Sequence, residues 1–269
     1  MARASKHCIF CGSQPTTREH VWADWLKQYI PKTSVNYSYL SATSHKTHTE
    51  YTRKTVGGDL RSRRLQVVCQ PCNNGWMSLL QERAKPLLLP LLKGEITVFD
   101  VNQQQVLAAW ISMFVMVAEH FDPNKVVSPL PERQILMNEK RTPPNWNIWF
   151  GDLDQNSDWP ALLNHFAVPI STPEHIPEIM SNGFPRPNTQ TMTFRVGRLY
   201  VHVRSSVTDI FENWRFARPN LLAQIWPIRR NLIAWPPRIA LSGRDADAIC
   251  ASFKVASDEV ENRTVNNGI

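Results

Sequence analysis

The chain has no long hydrophobic run. No apolar stretch approaches the roughly 18 residues that a membrane-spanning helix needs, and the opening Met-Ala-Arg-Ala-Ser-Lys-His holds no apolar signal segment. We therefore expect a cytoplasmic protein with no membrane partner. The chain is not disordered either, because hydrophobic residues make up 42% and charged residues 20% of its 269 residues, as in globular proteins.

Cysteine is scarce as well. Of the five cysteines, four form two pairs, Cys8-x-x-Cys11 and Cys69-x-x-Cys72, and Cys250 stands alone. In a reducing compartment this spacing favours metal binding over a disulfide. A structural zinc site needs four tetrahedral ligands, which neither pair supplies by itself. The spacing therefore predicts one four-cysteine zinc site, and two unrelated pairs of buried thiols are the alternative.

Acidic residues are few in the first third of the chain. Residues 1–85 carry 13 Lys or Arg against 5 Asp or Glu, a net charge of +8, whereas the remainder carries 17 against 18, a net charge of −1. A basic field attracts polyanions, so the charge predicts a nucleic-acid partner over a merely soluble basic surface. Five basic residues form a candidate phosphate-contacting strip, with a solvated charged face as the alternative. These residues are Arg53, Lys54, Arg61, Arg63 and Arg64.

The length of the chain fits one large domain or two modest ones, and the periodicity of the apolar residues predicts an α+β protein, which we expect to have two domains. Residues 1–95 form a small N-terminal module, and residues 96–269 form a larger mixed α+β domain that selects the target, dimerises or caps the site. Residues 103–121 are apolar almost all round and predict a buried helix. Pro86 and Pro90 are expected to break up the leucine-rich run before it. The other predicted elements are a short helix at 21–29, a loop or hairpin at 32–58, strands at 65–68 and 96–101, a helix at 131–140, strands between 147 and 204, and a helix at about 243–254.

The two cysteine pairs bracket an acid–histidine pair, Glu19-His20, and Asn73 directly follows the last cysteine. Over residues 8–78 this arrangement resembles the zinc-knuckle branch of the HNH endonucleases. The resemblance implies a ββα-metal motif on a treble-clef zinc scaffold. It also implies that His20 is the general base, that Glu19 and Asn73 hold the catalytic metal ion, and that the zinc is structural.

These residue types suit phosphodiester hydrolysis, which needs an activated water and neutralised charge on the phosphate and leaving oxygen. Histidine suits the first task, and Mg²⁺ or Mn²⁺ held by oxygen ligands suits the second. Adjacent strand residues point to opposite faces, so Glu19 and His20 need a bend or an irregular hairpin to reach one phosphate. Each residue has a structural alternative: His20 as a satisfied histidine beside the zinc, Glu19 as the ion-pair partner of an arginine, and Asn73 as a helix cap. Asn74 can take either the cap or the ligand position.

The chain departs from the family pattern at one place. Many HNH enzymes carry an asparagine a few residues before the second cysteine pair, and its side chain braces the loop. Here that neighbourhood reads Ser62-Arg63-Arg64-Leu65, without an asparagine. Either the inserted stretch at 32–58 supplies the brace, or the site is degraded.

The sequence therefore predicts a metal-dependent HNH-type endonuclease that hydrolyses DNA, with RNA left open as a substrate, in defence or in a mobile element. Its cofactors are a structural Zn²⁺ and a catalytic Mg²⁺ or Mn²⁺, and a homodimer is left open. The alternative is a non-catalytic, zinc-stabilised nucleic-acid-binding module. Salt-dependent binding without cleavage under any metal distinguishes that module from the enzyme.

Overall fold

The computed structural model describes residues 7–30, 37–44, 49–56, 60–157, 159, 163–170, 186–208, 211 and 219–252. The side chains of Glu19, Leu60 and the two strands at 37–44 and 49–56 lie outside this description. Within the described ranges the chain is a mixture of helices and antiparallel sheets, so the predicted α+β class is confirmed. None of the helices found there combines the length and the apolar character needed to cross a bilayer.

The N-terminal part is built on one antiparallel strand pair. β1 (Thr16–His20) pairs with β4 (Arg64–Cys69), which contains the predicted strand at 65–68. Between them in sequence, β2 (Tyr37–Ser44) and β3 (Thr49–Val56) form a hairpin of their own, as the polar stretch predicted. The predicted helix at 21–29 is a shorter 3₁₀ helix, Asp24–Tyr29.

A kinked helix follows β4 directly. α1 (Gln70–Cys72) passes into a π-helical turn (Asn73–Met77) and then into α2 (Ser78–Lys93). Gly75 leaves helical geometry inside the turn, with φ −91° and ψ −112°. The segment Asn73–Met77 is therefore a kink between two helices, and it begins with the asparagine that the sequence singled out.

The two prolines of α2 do not break the helix, so the expected break is wrong. Both Pro86 and Pro90 lie inside α2, which continues to Gly94. Each proline removes one intrahelical hydrogen bond, but α2 packs its apolar face on α3 (Val101–Ala118), and that burial offsets the loss. Gly94 ends the helix with φ 74°, a left-handed conformation that favours glycine. The buried residues of α2 are Leu80, Ala84, Leu88, Leu91 and Leu92.

α3 is the centre of the core, as the all-round apolar pattern predicted. Thirteen of its 18 residues are buried, and a capping box between Asp100 and Gln103 fixes its start. The ring of Trp22, from the N-terminal part, lies 4.4 Å from the ring of Phe114 and 5.8 Å from that of Phe194, measured between centroids. One hydrophobic cluster therefore continues across the predicted domain boundary at residue 95.

A five-stranded antiparallel sheet packs against α3, with Phe114 and Phe194 in ring contact at 4.6 Å. Its strands are β6 (Trp146–Asp152), β7 (Leu163–Val168), β8 (Thr189–Val196), β9 (Leu199–Ser206) and β10 (Ala223–Trp226). Their order in the sheet is β10-β6-β9-β8-β7. Gly197 and Arg198 form the turn between β8 and β9, as predicted.

Four smaller elements lie around this core, besides short 3₁₀ helices at Glu119–Phe121, Pro123–Lys125 and Pro219–Leu221. β5 (Thr97–Phe99) pairs with β11 (Ile233–Trp235). α4 (Leu130–Glu139) begins with Pro131 in its first turn, where proline is tolerated. The final helix, α5, covers 243–252, and the last two residues predicted for it lie outside the described ranges.

Candidate metal centre and adjoining pocket

The four paired cysteines meet in one cluster. Their sulfur atoms all lie within 4.8 Å of one another, and Cys11 Sγ is 3.5 Å from Cys69 Sγ. Sulfurs bound tetrahedrally to zinc at about 2.3 Å lie about 3.8 Å apart, so this spacing fits Zn²⁺. The alternative of two unrelated thiol pairs is excluded, and the cluster can hold a metal ion such as zinc.

A tight turn and one strand contact bring the pairs together. Gly12 N donates to Cys8 O, and Cys8 N donates to Ser13 O, both at 2.9 Å. Gly12 has φ 75°, which a residue with a Cβ rarely adopts. Ile9 N then donates to Val67 O at 2.9 Å. The first pair is therefore anchored to the strand that leads into the second pair.

Without a bound metal ion, deprotonation of all four cysteines is unfavourable. Burial raises the pKa of the Cys69 thiol and of the Cys72 thiol. Burial also acts on Cys11, but hydrogen bonds with Ser13 and the neighbouring thiols outweigh it and lower the pKa of Cys11 to about 6. A bound cation reverses this balance, because a coordinating thiol is deprotonated outright. Metal binding at the cluster should therefore release protons and weaken as the pH falls.

The strand pair beside the cysteines is irregular at the acid–histidine pair. Thr17 pairs with Val68, but Glu19 pairs with Leu65, so β4 holds one more residue than β1 across this step. An irregularity of this kind bends a strand and re-aims its side chains, which is the feature that Glu19 and His20 were expected to need. The side chain of Glu19 lies outside the described part of the chain, so its role as a metal ligand stays a prediction.

A pocket of about 240 Å³ is lined by the two predicted catalytic residues other than Glu19. His20 and Asn73 both line it, and so does Asn74. The pocket lies between the end of β1, the π-helical turn and α3. Its apolar wall on α3 consists of Trp110, Met113, Phe114 and Val117.

His20 has a polar neighbour at each ring nitrogen. Arg64 Nε donates to His20 Nε2 at 3.0 Å, and His20 Nδ1 lies 3.5 Å from Asp24 Oδ1. Because Nε2 accepts this hydrogen bond, the proton of the neutral ring is assigned to Nδ1, next to Asp24. A hydrogen bond from Lys27 lowers the pKa of the Asp24 carboxyl, with smaller contributions from His20 and Arg64, which keeps that neighbour charged.

The side chain of Asn73 does not cap the start of a helix. The helix begins at Gln70, and no side-chain hydrogen bond caps its start or that of the turn Asn73–Met77. Asn73 Nδ2 donates to Asn74 Oδ1 at 3.4 Å, and the described residues supply no donor to the side-chain oxygen Oδ1 of Asn73. The expected competition between capping and metal binding therefore does not arise, and an amide oxygen remains for a ligand.

Comparison of the whole chain with protein-family models, with curated proteins and with solved structures finds no match. The function therefore has to be argued from the chemistry of the pocket and of the cysteine cluster.

The described members of the candidate phosphate-contacting strip have different neighbours. Arg64 turns to the histidine of the pocket, and the guanidinium carbon of Arg63 lies 6.0 Å from the ring centroid of Phe121. Arg61 lies in the short 3₁₀ turn before β4. The side chains of two further members lie outside the described residues, namely Arg53 and Lys54 on β3.

The sequence patterns do not indicate two polar residues of the pocket, Asp24 and Gln81. Asp24 follows His20 by four residues, and this spacing is the only feature of the sequence that could have indicated their contact. Gln81 Oε1 accepts a hydrogen bond from Trp110 Nε1 at 2.7 Å, and its own Nε2 is buried without a partner among the described residues. No local sequence pattern indicates Gln81 as a pocket residue, because its hydrogen bond to Trp110 joins two different helices.

Proposed function

We propose that this protein is a metal-dependent endonuclease of the HNH type that hydrolyses DNA phosphodiester bonds. The observation that supports it is the placement of His20 and Asn73 in one pocket beside a four-cysteine cluster. The order β1, β4 and the helix from Gln70 gives strand, strand and helix, which fits the ββα-metal arrangement that the resemblance implies.

His20 is the general base in this proposal, and it takes a proton from the attacking water. Its Nε2 accepts from Arg64 in the structure. A phosphate is a stronger partner for a guanidinium than a neutral imidazole is, so bound DNA draws Arg64 away and leaves Nε2 to water. Arg64 then neutralises charge on the phosphate. Asp24 holds Nδ1 and stabilises the imidazolium that forms.

Glu19 and the amide oxygen of Asn73 would hold the catalytic Mg²⁺ or Mn²⁺, because carboxylate and amide oxygens are the ligands that hard cations prefer. When bound, that cation supplies charge neutralisation at the phosphate and the leaving oxygen. Zinc at the cysteine cluster takes no part in the reaction, since four protein thiolates leave no open coordination position. Zinc bound there would hold the turn of Cys8 and Cys11 to the end of β4 and the start of the helix.

Incubation of the purified protein with supercoiled plasmid tests the proposal. We expect nicked and linear products with Mg²⁺ or Mn²⁺ and none when divalent cations are omitted. Asn73→Ala should raise the Mg²⁺ concentration needed for half-maximal cleavage by about 10–100-fold, and Asn74→Ala is its matched control. Equal metal requirements in the two variants would remove Asn73 as the ligand.

Asp24→Asn is expected to slow single-turnover cleavage by about 10–100-fold, because the base loses the carboxylate that orients it. DNA affinity, measured without divalent cations, should not fall, since the substitution removes a negative charge. This combination separates a positioning role from damage to the binding surface. Asp24→Glu should recover part of the rate, whereas a rate loss accompanied by weaker DNA binding would contradict the assignment.

The second candidate is a zinc-stabilised nucleic-acid-binding module without catalysis. The contact between Arg64 and His20 favours it, because it covers the ring nitrogen that catalysis needs. In that case plasmid binding would weaken steeply with salt, and no cleavage would occur with any divalent cation.

A further inference from the structure

A second concave surface lies apart from the pocket of His20. It is a groove of about 930 Å³ lined by β10, β11 and the segments next to them. It shares no lining residue with the first pocket. We call it the arginine groove, after Arg229, Arg230 and Arg238 on its walls.

The charge of the arginine groove has one sign. Arg229, Arg230 and Arg238 are exposed, and no aspartate or glutamate is among the described residues that line the groove. Three guanidinium groups without an acidic neighbour among the described lining residues repel one another, and a bound anion would reduce that repulsion. The net charge of −1 over residues 86–269 shows that this positive charge is local and not general to the region. An anionic ligand is therefore the natural complement of the groove.

The same groove offers apolar surface to its ligand. Leu232 and Ile239 are 62% and 51% exposed, and Pro236 and Pro237 lie beside them on the wall. Unpaired nucleotides combine both requirements, because their base faces cover apolar side chains while their phosphates meet guanidinium groups. Duplex DNA keeps its base faces stacked inside and would use only the arginines.

An acidic peptide is negatively charged, as a nucleic-acid strand is, but it fits the walls of the arginine groove less well. A bound extended peptide gains affinity through main-chain hydrogen bonds to a sheet edge. Pro236 and Pro237 have no N–H group and cannot extend such a ladder along their wall. We propose that the arginine groove binds an unpaired strand of nucleic acid. The preference for nucleic acid over peptide rests in part on the proposed nuclease function, whereas the groove and its charge do not.

Fluorescence anisotropy with a labelled oligothymidylate, without divalent cations, tests this site independently of cleavage. The triple variant Arg229→Ala/Arg230→Ala/Arg238→Ala should bind on the order of tenfold or more weakly than the wild type at moderate salt. The slope of log affinity against log salt should fall in magnitude by about 2, because each single-strand phosphate contact contributes about 0.7. The duplex of the same length should lose less affinity than the single strand.

The matched control removes three exposed arginines elsewhere, in Arg83→Ala/Arg186→Ala/Arg244→Ala, so that net charge is equal in the two variants. Thermal melting of both variants checks that they fold. Equal oligothymidylate affinity in the two variants, or no binding by the wild type, would overturn the proposal, and so would a loss confined to an oligoglutamate probe. Groove-dependent binding together with absent plasmid cleavage would support the groove and reject the nuclease.

Discussion

Replacing His20 with alanine is expected to abolish DNA cleavage. The single-turnover rate of plasmid nicking should fall by about 10²–10⁴, the usual contribution of a general acid or base. Zinc should stay bound, because His20 lines the pocket and is not one of the four clustered cysteines. The fold should persist, since the side chain is 21% exposed and its neighbours are polar. Nicking rate and zinc content are measured on the same sample.

His7→Ala is the matched control for this substitution. His7 is an exposed histidine of the same N-terminal part that contacts Gly12 O and Gln14 Nε2, among others, and it is not among the residues that line the pocket. DNA binding by His20→Ala should persist without divalent cations, because Arg64 keeps its charge and loses only its neighbour. Cleavage by His20→Ala at the wild-type rate would show that another residue activates the water.

Local sequence patterns predicted most elements of the described fold but not how they join. Residues 103–121 indicated a buried helix because their apolar character is continuous, and α3 is that helix. The prolines at 86 and 90 follow a local rule that tertiary burial overrides. Trp22 illustrates what local patterns cannot predict. Its ring packs on Phe114 and Phe194, and local periodicity does not indicate contacts between residues so far apart in the chain.

The candidate site likewise has parts that the sequence predicts and parts that depend on strand pairing. The cysteine cluster was predictable because two Cys-x-x-Cys pairs satisfy zinc only together. A bend at Glu19 and His20 was expected from the proposed chemistry, whereas the position of the irregularity between Thr17 and Glu19 depends on strand register. Arg64 was predicted to contact phosphate, and its donation to His20 depends on the β1–β4 pairing. Arg64 lies in the neighbourhood where many HNH enzymes carry an asparagine and this chain does not, so a hydrogen-bond donor occupies that place.

Removing one zinc ligand is expected to have the largest effect on stability. Cys72→Ser leaves three sulfurs in a partly buried cluster, and binding of a structural zinc ion contributes directly to folding. We expect less than one tenth of a zinc ion per chain and a melting temperature lower by roughly 10 °C or more. Cleavage should be lost as well, because β4 and the start of the helix carry both the cluster and Asn73.

Cys250→Ser is the matched control, since it makes the same chemical change at a partly buried cysteine outside the cluster. The Cys250 sulfur contacts Tyr200 Oη at 3.7 Å and Asn164 Nδ2 at 3.6 Å, and serine can replace both contacts with a hydroxyl. Zinc content near one ion per chain is therefore expected in the wild type and in Cys250→Ser. Unchanged zinc content in Cys72→Ser would contradict a four-cysteine site. A metal-free Cys72→Ser variant that melts at the wild-type temperature would show that the shared core around Trp22 and α3 holds the N-terminal part without zinc.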